Sequence, residues 1–140
     1  MQIESRRLNQ KRTAEPDDSM NLLSHAVIGA AIEVHRVFGP GFLESVYEQA
    51  LCVELQLRGV PFVRQPIIAL DYKGHGVGEG RLDLLVDSRL VVELKAVDAL
   101  LAIHSAQILS YLRVTGCSLG LLINFNVHVL THGIKRIILS

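Results

Sequence analysis

The sequence predicts an α/β (α+β) domain: a central mixed β-sheet flanked by helices. Three observations carry this. Two N-terminal stretches place apolar residues at helical spacing and are closed by Gly39-Pro40-Gly41 and by Gly59-Val60-Pro61. The pattern then switches to short strand-like runs separated by turn clusters such as Lys73-Gly74-His75-Gly76 and Asp87-Ser88-Arg89. The resulting order, ααβββαββ with no internal repeat, calls for helices packed on a mixed sheet.

Residues 1–19 read as a flexible tail, because Arg6, Arg7, Lys11, Arg12, Glu15, Asp17 and Asp18 crowd it and no helical period is sustained. The domain proper is 20–140. A first helix, capped by Asn21 or Ser24, runs to about Phe38, with Leu22, Ala26, Val27, Ala30, Ala31 and Val34 on its apolar stripe. A second helix runs from about Leu43 to Arg58, with Val46, Ala50, Val53 and Leu57 as the expected buried stripe. Phe62–Tyr72 reads as a strand, and Pro66 marks it as an edge. Val77–Val86 and Leu90–Ala96 complete a three-strand meander. A third helix spans about Ala99–Thr115 and stops at Gly116. Leu119–Phe125 is a compact apolar strand, and His128–Leu139 a last strand interrupted at Gly133.

Composition sets bounds on function. The 140 residues suit one domain, and a hydrophobic share of 49% is enough for one sizeable core. Fourteen basic and fourteen acidic residues cancel. This counts against tight nonspecific binding to DNA, while leaving room for a local basic groove. Cys52 and Cys117 lie far apart without metal-ligand spacing, so buried free thiols are expected. No apolar run approaches the roughly 18 residues of a spanning helix, and no secretion signal opens the chain. The expectation is a cytoplasmic protein with no membrane association.

The chemistry concentrates around the second and third strands. Strand alternation puts Arg81, Asp83 and Leu85 on one face, and Val91, Glu93 and Lys95 on one face of the next strand. Pairing across Asp87-Ser88-Arg89 brings Asp83 close to Glu93. The opposite faces carry Leu82, Leu84, Val86, Leu90, Val92 and Leu94 as a continuous core surface. Two neighbouring carboxylates repel unless a positive charge sits with them. Lys95 supplies one, and a hard divalent cation would supply more. A cross-strand salt bridge on an exposed face is the competing explanation for these three residues. His104, Gln107 and Tyr111 share one face of the third helix. That face is either the wall of a polar cleft or the polar rim of a half-buried helix.

These residues resemble a known series. Gly80-Arg81-Leu82-Asp83, Glu93-Leu94-Lys95 and Gln107-Ile108-Leu109-Ser110-Tyr111 look like the G-x-h-D, E-h-K and Q-x-x-x-Y motifs of RecB-like PD-(D/E)XK nucleases. Gly41-Phe42-Leu43-Glu44-Ser45-Val46-Tyr47 resembles the signature of the small GxxExxY family within that superfamily. His35 before Gly39-Pro40-Gly41, and Leu121-Leu122-Ile123-Asn124-Phe125, extend the likeness to about residues 21–139.

The resemblance implies a restriction-endonuclease-like core. It also implies Mg²⁺ or Mn²⁺ held by Asp83 and Glu93, with the Leu94 carbonyl and Glu44 assisting. By the same resemblance Lys95 acts on the attacking water, and Gln107 and Tyr111 serve the active site or nucleic-acid contacts. His35, His104 and Tyr47 are accessory candidates, although packing is the favoured role for Tyr47. Glu48, one turn beyond Glu44, is either solvated or a group backing it. His25, His75, His128 and His132 read as surface or structural residues, and Asn124 as a turn-bonding residue.

Two functional readings follow. The first is a metal-dependent phosphodiesterase acting on nucleic acid, with DNA favoured and a homodimer expected because one small domain offers little surface for gripping a duplex. The second is a catalytically silent module that uses the nuclease fold to bind nucleic acid or a partner protein.

Overall fold

The computed structural model describes residues 16–140. Helix α1 (Asp18–Phe38) starts earlier than expected: Asp17 is its cap, and the carboxylate accepts the Met20 N–H at 2.8 Å. An aspartate there satisfies a free N–H of the first turn and complements the helix dipole, so neither Asn21 nor Ser24 is needed. The helix therefore takes in residues 18 and 19 of the expected tail, and residues 1–15 lie outside the described residues. Gly39 ends the helix at φ +66°, with its N–H on the His35 carbonyl.

Helix α2 (Glu44–Leu57) buries Tyr47, Glu48, Leu51, Cys52 and Leu55. The expected stripe is corrected here, since Val53 is 56% and Leu57 76% exposed. The helix is rotated so that Tyr47 and Leu51 face the sheet.

The strands also differ from the sequence reading. The expected 62–72 strand is two, β1 (Phe62–Arg64) and β2 (Ile67–Tyr72), broken at Gln65-Pro66. The expected 77–86 strand is again two, β3 (His75–Arg81) and β4 (Leu84–Val86), broken at Leu82-Asp83. β5 (Leu90–Lys95), α3 (Ala102–Thr115) and β6 (Leu119–Asn124) follow as expected. A 3-10 turn (Leu130–Gly133) then replaces the first part of the expected last strand, leaving β7 (Ile134–Ile138).

The meander is accordingly replaced by two sheets. A five-stranded sheet has the order β1-β4-β5-β6-β7, and β2-β3 form a separate ribbon. β5 and β6 are parallel, and the other pairs of the large sheet are antiparallel. A parallel pair needs a crossover connection, and α3 provides it. The Asp87-Ser88 turn between β4 and β5 takes left-handed φ at both residues, as a tight hairpin requires.

The sheet carries a core on each face. Leu84, Val86, Leu90, Val92, Leu94, Leu119, Leu121 and Ile123 pack with α1 and α2. Leu82, Val91 and Leu122 pack with Ile108 and Leu112 of α3. Leu82 thus lies on the face opposite the expected one, because the chain break beside Asp83 resets the alternation. The Val91–Glu93 face is likewise no solvated surface, since Val91 is fully buried under α3. Gly120 permits the close approach of α3: a Cβ there would stand 2.6 Å from Ile108 Cγ2. The result is an α+β domain with helices on both faces of a mixed sheet, the fold class the sequence predicts.

Candidate active site

β4 begins at Leu84, so Asp83 stands one residue outside the β4–β5 ladder. Its groups find other partners on β5. The Asp83 N–H donates to Glu93 Oε1 at 2.9 Å, and Asp83 Oδ2 accepts the Leu94 N–H at 2.7 Å. The Asp83 backbone thus orients the Glu93 carboxylate, and the β5 backbone just after Glu93 orients the Asp83 carboxylate. An exposed cross-strand salt bridge does not describe this arrangement: Glu93 is 6% exposed and its partner is another acid.

Electrostatics records the cost. Burial, then the neighbouring Asp83 charge, pushes the Glu93 pKa up to about 8. Burial likewise raises Asp83, against the bond from the Leu94 N–H. Glu44 at the start of α2 is raised by burial and by the Asp83 charge, and Lys95 opposes this. The Lys95 ammonium acts in the same lowering sense on all three acids. Glu44, Asp83, Glu93 and Lys95 thus share one electrostatic neighbourhood, drawn from α2, the β3–β4 break and the end of β5.

A cation would relieve this crowding. Among the described residues, no group of three or more His, Cys, Asp or Glu is arranged as a ready metal cage. Glu44 therefore adds its charge to this neighbourhood without completing a donor triad. Two converging carboxylates nevertheless fit Mg²⁺, which takes one or two carboxylates and keeps several waters.

The α3 residues occupy the expected face with distinct partners. Gln107 Nε2 donates to the Tyr111 hydroxyl at 3.3 Å. The Tyr111 ring lies against Gly80, where a Cβ would stand 3.2 Å from Cε1, so the small residue three before Asp83 makes room for the phenol. His104 Nδ1 accepts the Leu101 N–H at 3.0 Å and closes the first turn of α3.

Two accessory candidates have structural partners. His35 Nε2 lies 2.7 Å from the Val127 carbonyl. Tyr47 is fully buried and stacks on Phe125 with centroids 4.6 Å apart, while its hydroxyl donates to the Gly39 carbonyl at 2.6 Å and accepts the Phe42 N–H at 3.1 Å. The hollow lined by Pro40, Gly41 and 126–128 lies beside these residues and holds none of the acids. His25, His75, His128 and His132 are exposed, and both cysteines are buried free thiols.

Asn124 is the turn-bonding residue the sequence predicts, while Glu48 has partners that the sequence does not reveal. Asn124 Oδ1 accepts the Val97 and Asn126 N–H groups and its Nδ2 donates to the Val97 carbonyl, which pins the chain leaving Lys95. Glu48 is 5% exposed and bonded by Arg64 and Gln65. Its i,i+4 relation to Glu44 was the signal available; the partners 16 and 17 residues away were not.

A profile of the PD-(D/E)XK nuclease superfamily matches residues 21–137. The chain belongs to the PD-(D/E)XK nuclease superfamily. The matched stretch includes Glu44, Asp83, Glu93 and Lys95. A search of curated proteins finds no matching relative.

Proposed function

We propose that the protein is a divalent-metal-dependent nuclease that hydrolyses phosphodiester bonds, with DNA as the favoured substrate. The Asp83–Glu93 arrangement carries this reading: a half-buried and a buried acid with raised pKa values, both acted on by the Lys95 charge, suit a cation and a phosphate. Asp83 and Glu93 would hold Mg²⁺ or Mn²⁺. The Leu94 carbonyl would join them, because the N–H and C=O of an extended residue project to the same side and the Leu94 N–H already meets Asp83. Glu44 would act from the edge, directly or through water. A bound cation supplies charge neutralisation and Lewis acidity toward a phosphate oxygen.

The chain's own groups do the rest. The Lys95 ammonium donates to the attacking water or to a phosphate oxygen as negative charge builds on it. Water oxygen bonds to phosphorus as it gives up one proton to solvent, one P–O ester bond breaks, and the leaving oxygen takes a proton back from solvent, so the exchange balances. Gln107 and Tyr111 offer neutral hydrogen-bonding groups that position phosphate or base without adding negative charge. A silent binding module would have no use for so costly an acid pair beside an amine. Two copies would grip a duplex better than one, and light scattering tests that homodimer.

The test is a cleavage panel of single-stranded, duplex and branched DNA and RNA, with Mn²⁺, for wild type, Asp83→Ala and Lys95→Ala. Metal-dependent cleavage lost in both variants is expected. Intact substrates of every kind with wild type would refute the enzymatic reading.

A further inference from the structure

Glu48 lies outside the acid pair, yet it is more tightly bonded than either member. Its Oε2 takes Arg64 Nε at 2.8 Å, Arg64 Nη2 at 2.8 Å and Gln65 Nε2 at 2.9 Å. Arg64 ends β1, and Gln65 lies in the kink between β1 and β2. Gln65 sits there at φ +53°, in the left-handed region that residues with a Cβ rarely occupy. Such a conformation persists only where its surroundings hold it, and Glu48 holds this one by the side chain.

The kink has a specific job. The Gln65 N–H donates to the Asp83 carbonyl at 2.8 Å, and the Leu82 N–H donates to the Pro66 carbonyl at 3.2 Å. These two bonds grip the stretch where β3 ends and β4 begins. That break removes Asp83 from the ladder and lets its carboxylate meet the Leu94 N–H.

We propose that Glu48 and Gln65 are positioning residues: Glu48 locks Gln65 in its left-handed turn, and the turn fixes the backbone of Asp83 so that its carboxylate reaches the end of β5. Their importance for cleavage rests on the nuclease reading above; the clamp itself does not. An amide at position 48 keeps an acceptor oxygen for Gln65 Nε2 and removes the charge paired with Arg64, so Glu48→Gln separates the Gln65 tie from the ion pair.

The test uses the full chain, with Glu48→Ala, Glu48→Gln and Gln65→Gly. Amide hydrogen exchange is read by NMR without metal, and steady-state cleavage is read with Mn²⁺. In Glu48→Ala, the Gln65 and Leu94 amides should exchange about tenfold faster, while core amides such as Leu121 keep wild-type rates, the signature of local opening. Gln65→Gly relaxes the strained φ but cuts the tie to Glu48, and should loosen Leu94 in the same way. Glu48→Gln should restore most of the protection. Cleavage should follow: kcat falls about tenfold in Glu48→Ala with KM little changed, and recovers in Glu48→Gln, as lost alignment in the transition state requires.

Undisturbed Leu94 protection in Glu48→Ala would overturn the proposal. So would a Glu48→Gln variant that regains protection but stays as inactive as Glu48→Ala, which would make the Glu48 charge itself the active element. A wild type that cleaves nothing would refute the nuclease reading, while the exchange rates would still decide the clamp.

Discussion

Burial and the neighbouring Asp83 charge push the Glu93 pKa up to about 8 in the folded protein, from 4.5 for the ordinary group. Folding therefore favours the protonated form. The stability that this form contributes is fully present below about pH 4.5 and is lost as pH rises through about 8. Asp83 is shifted in the same direction and adds to the trend. The Tm of the metal-free protein should fall across that window. Glu93→Gln, a neutral amide in the same place, should flatten the slope and melt higher than wild type near pH 8. Equal slopes by circular dichroism would contradict the electrostatic account.

The acid pair was legible in the sequence because strand alternation and a short turn suffice to bring Asp83 to Glu93. The roles of Glu48 and Gln65 were not. They depend on a left-handed glutamine and on an ion pair between segments 16 residues apart, and no local periodicity encodes either.

At the scale of elements, the helices were read well and their rotation was not. Val53 and Leu57 obey helical spacing but face outward, while Tyr47, Leu51 and Leu55 face the sheet. Both stripes are apolar, so periodicity alone cannot choose between them. Leu51→Ala should cost about 2–5 kcal/mol, and Val53→Ala about 0.5 kcal/mol or less, in denaturant unfolding. Similar costs at the two positions would contradict the observed orientation.

The strand breaks at Gln65-Pro66 and Leu82-Asp83 were missed for a related reason. Pro66 in the first run and Gly78 and Gly80 in the second were the local signals, but the breaks themselves are set by hydrogen bonds between them. Asn124 secures the other end of the site. Asn124→Ala leaves both polar groups of Val97 and the Asn126 N–H without their partner. It should cost about 2–3 kcal/mol. It should also lower cleavage, because the freed segment directly follows Lys95. A stability change under about 0.5 kcal/mol would show that these bonds are dispensable.

At the scale of the molecule, the mixed sheet with helices on both faces agrees with the order of elements and with the superfamily match over residues 21–137. Its architecture explains how a chain of zero net charge can still carry a charged centre. The parallel β5–β6 pair is closed by α3 on one face and by α1 and α2 on the other, and the acids collect where β5 leaves this double cover. Among the described residues, no helix is long and apolar enough to cross a membrane.

A cation should stabilise the whole fold by mass action. It should also displace a proton, because burial and the Asp83 charge hold the Glu93 pKa well above its ordinary value. Calorimetric titration of Mn²⁺ into the protein at about pH 7, in two buffers of different ionisation enthalpy, reads both effects at once. The account predicts saturable binding whose heat differs between buffers by the proton released, and no such binding in Asp83→Asn or Glu93→Gln. Absence of binding by wild type, or binding unchanged in both variants, would contradict it.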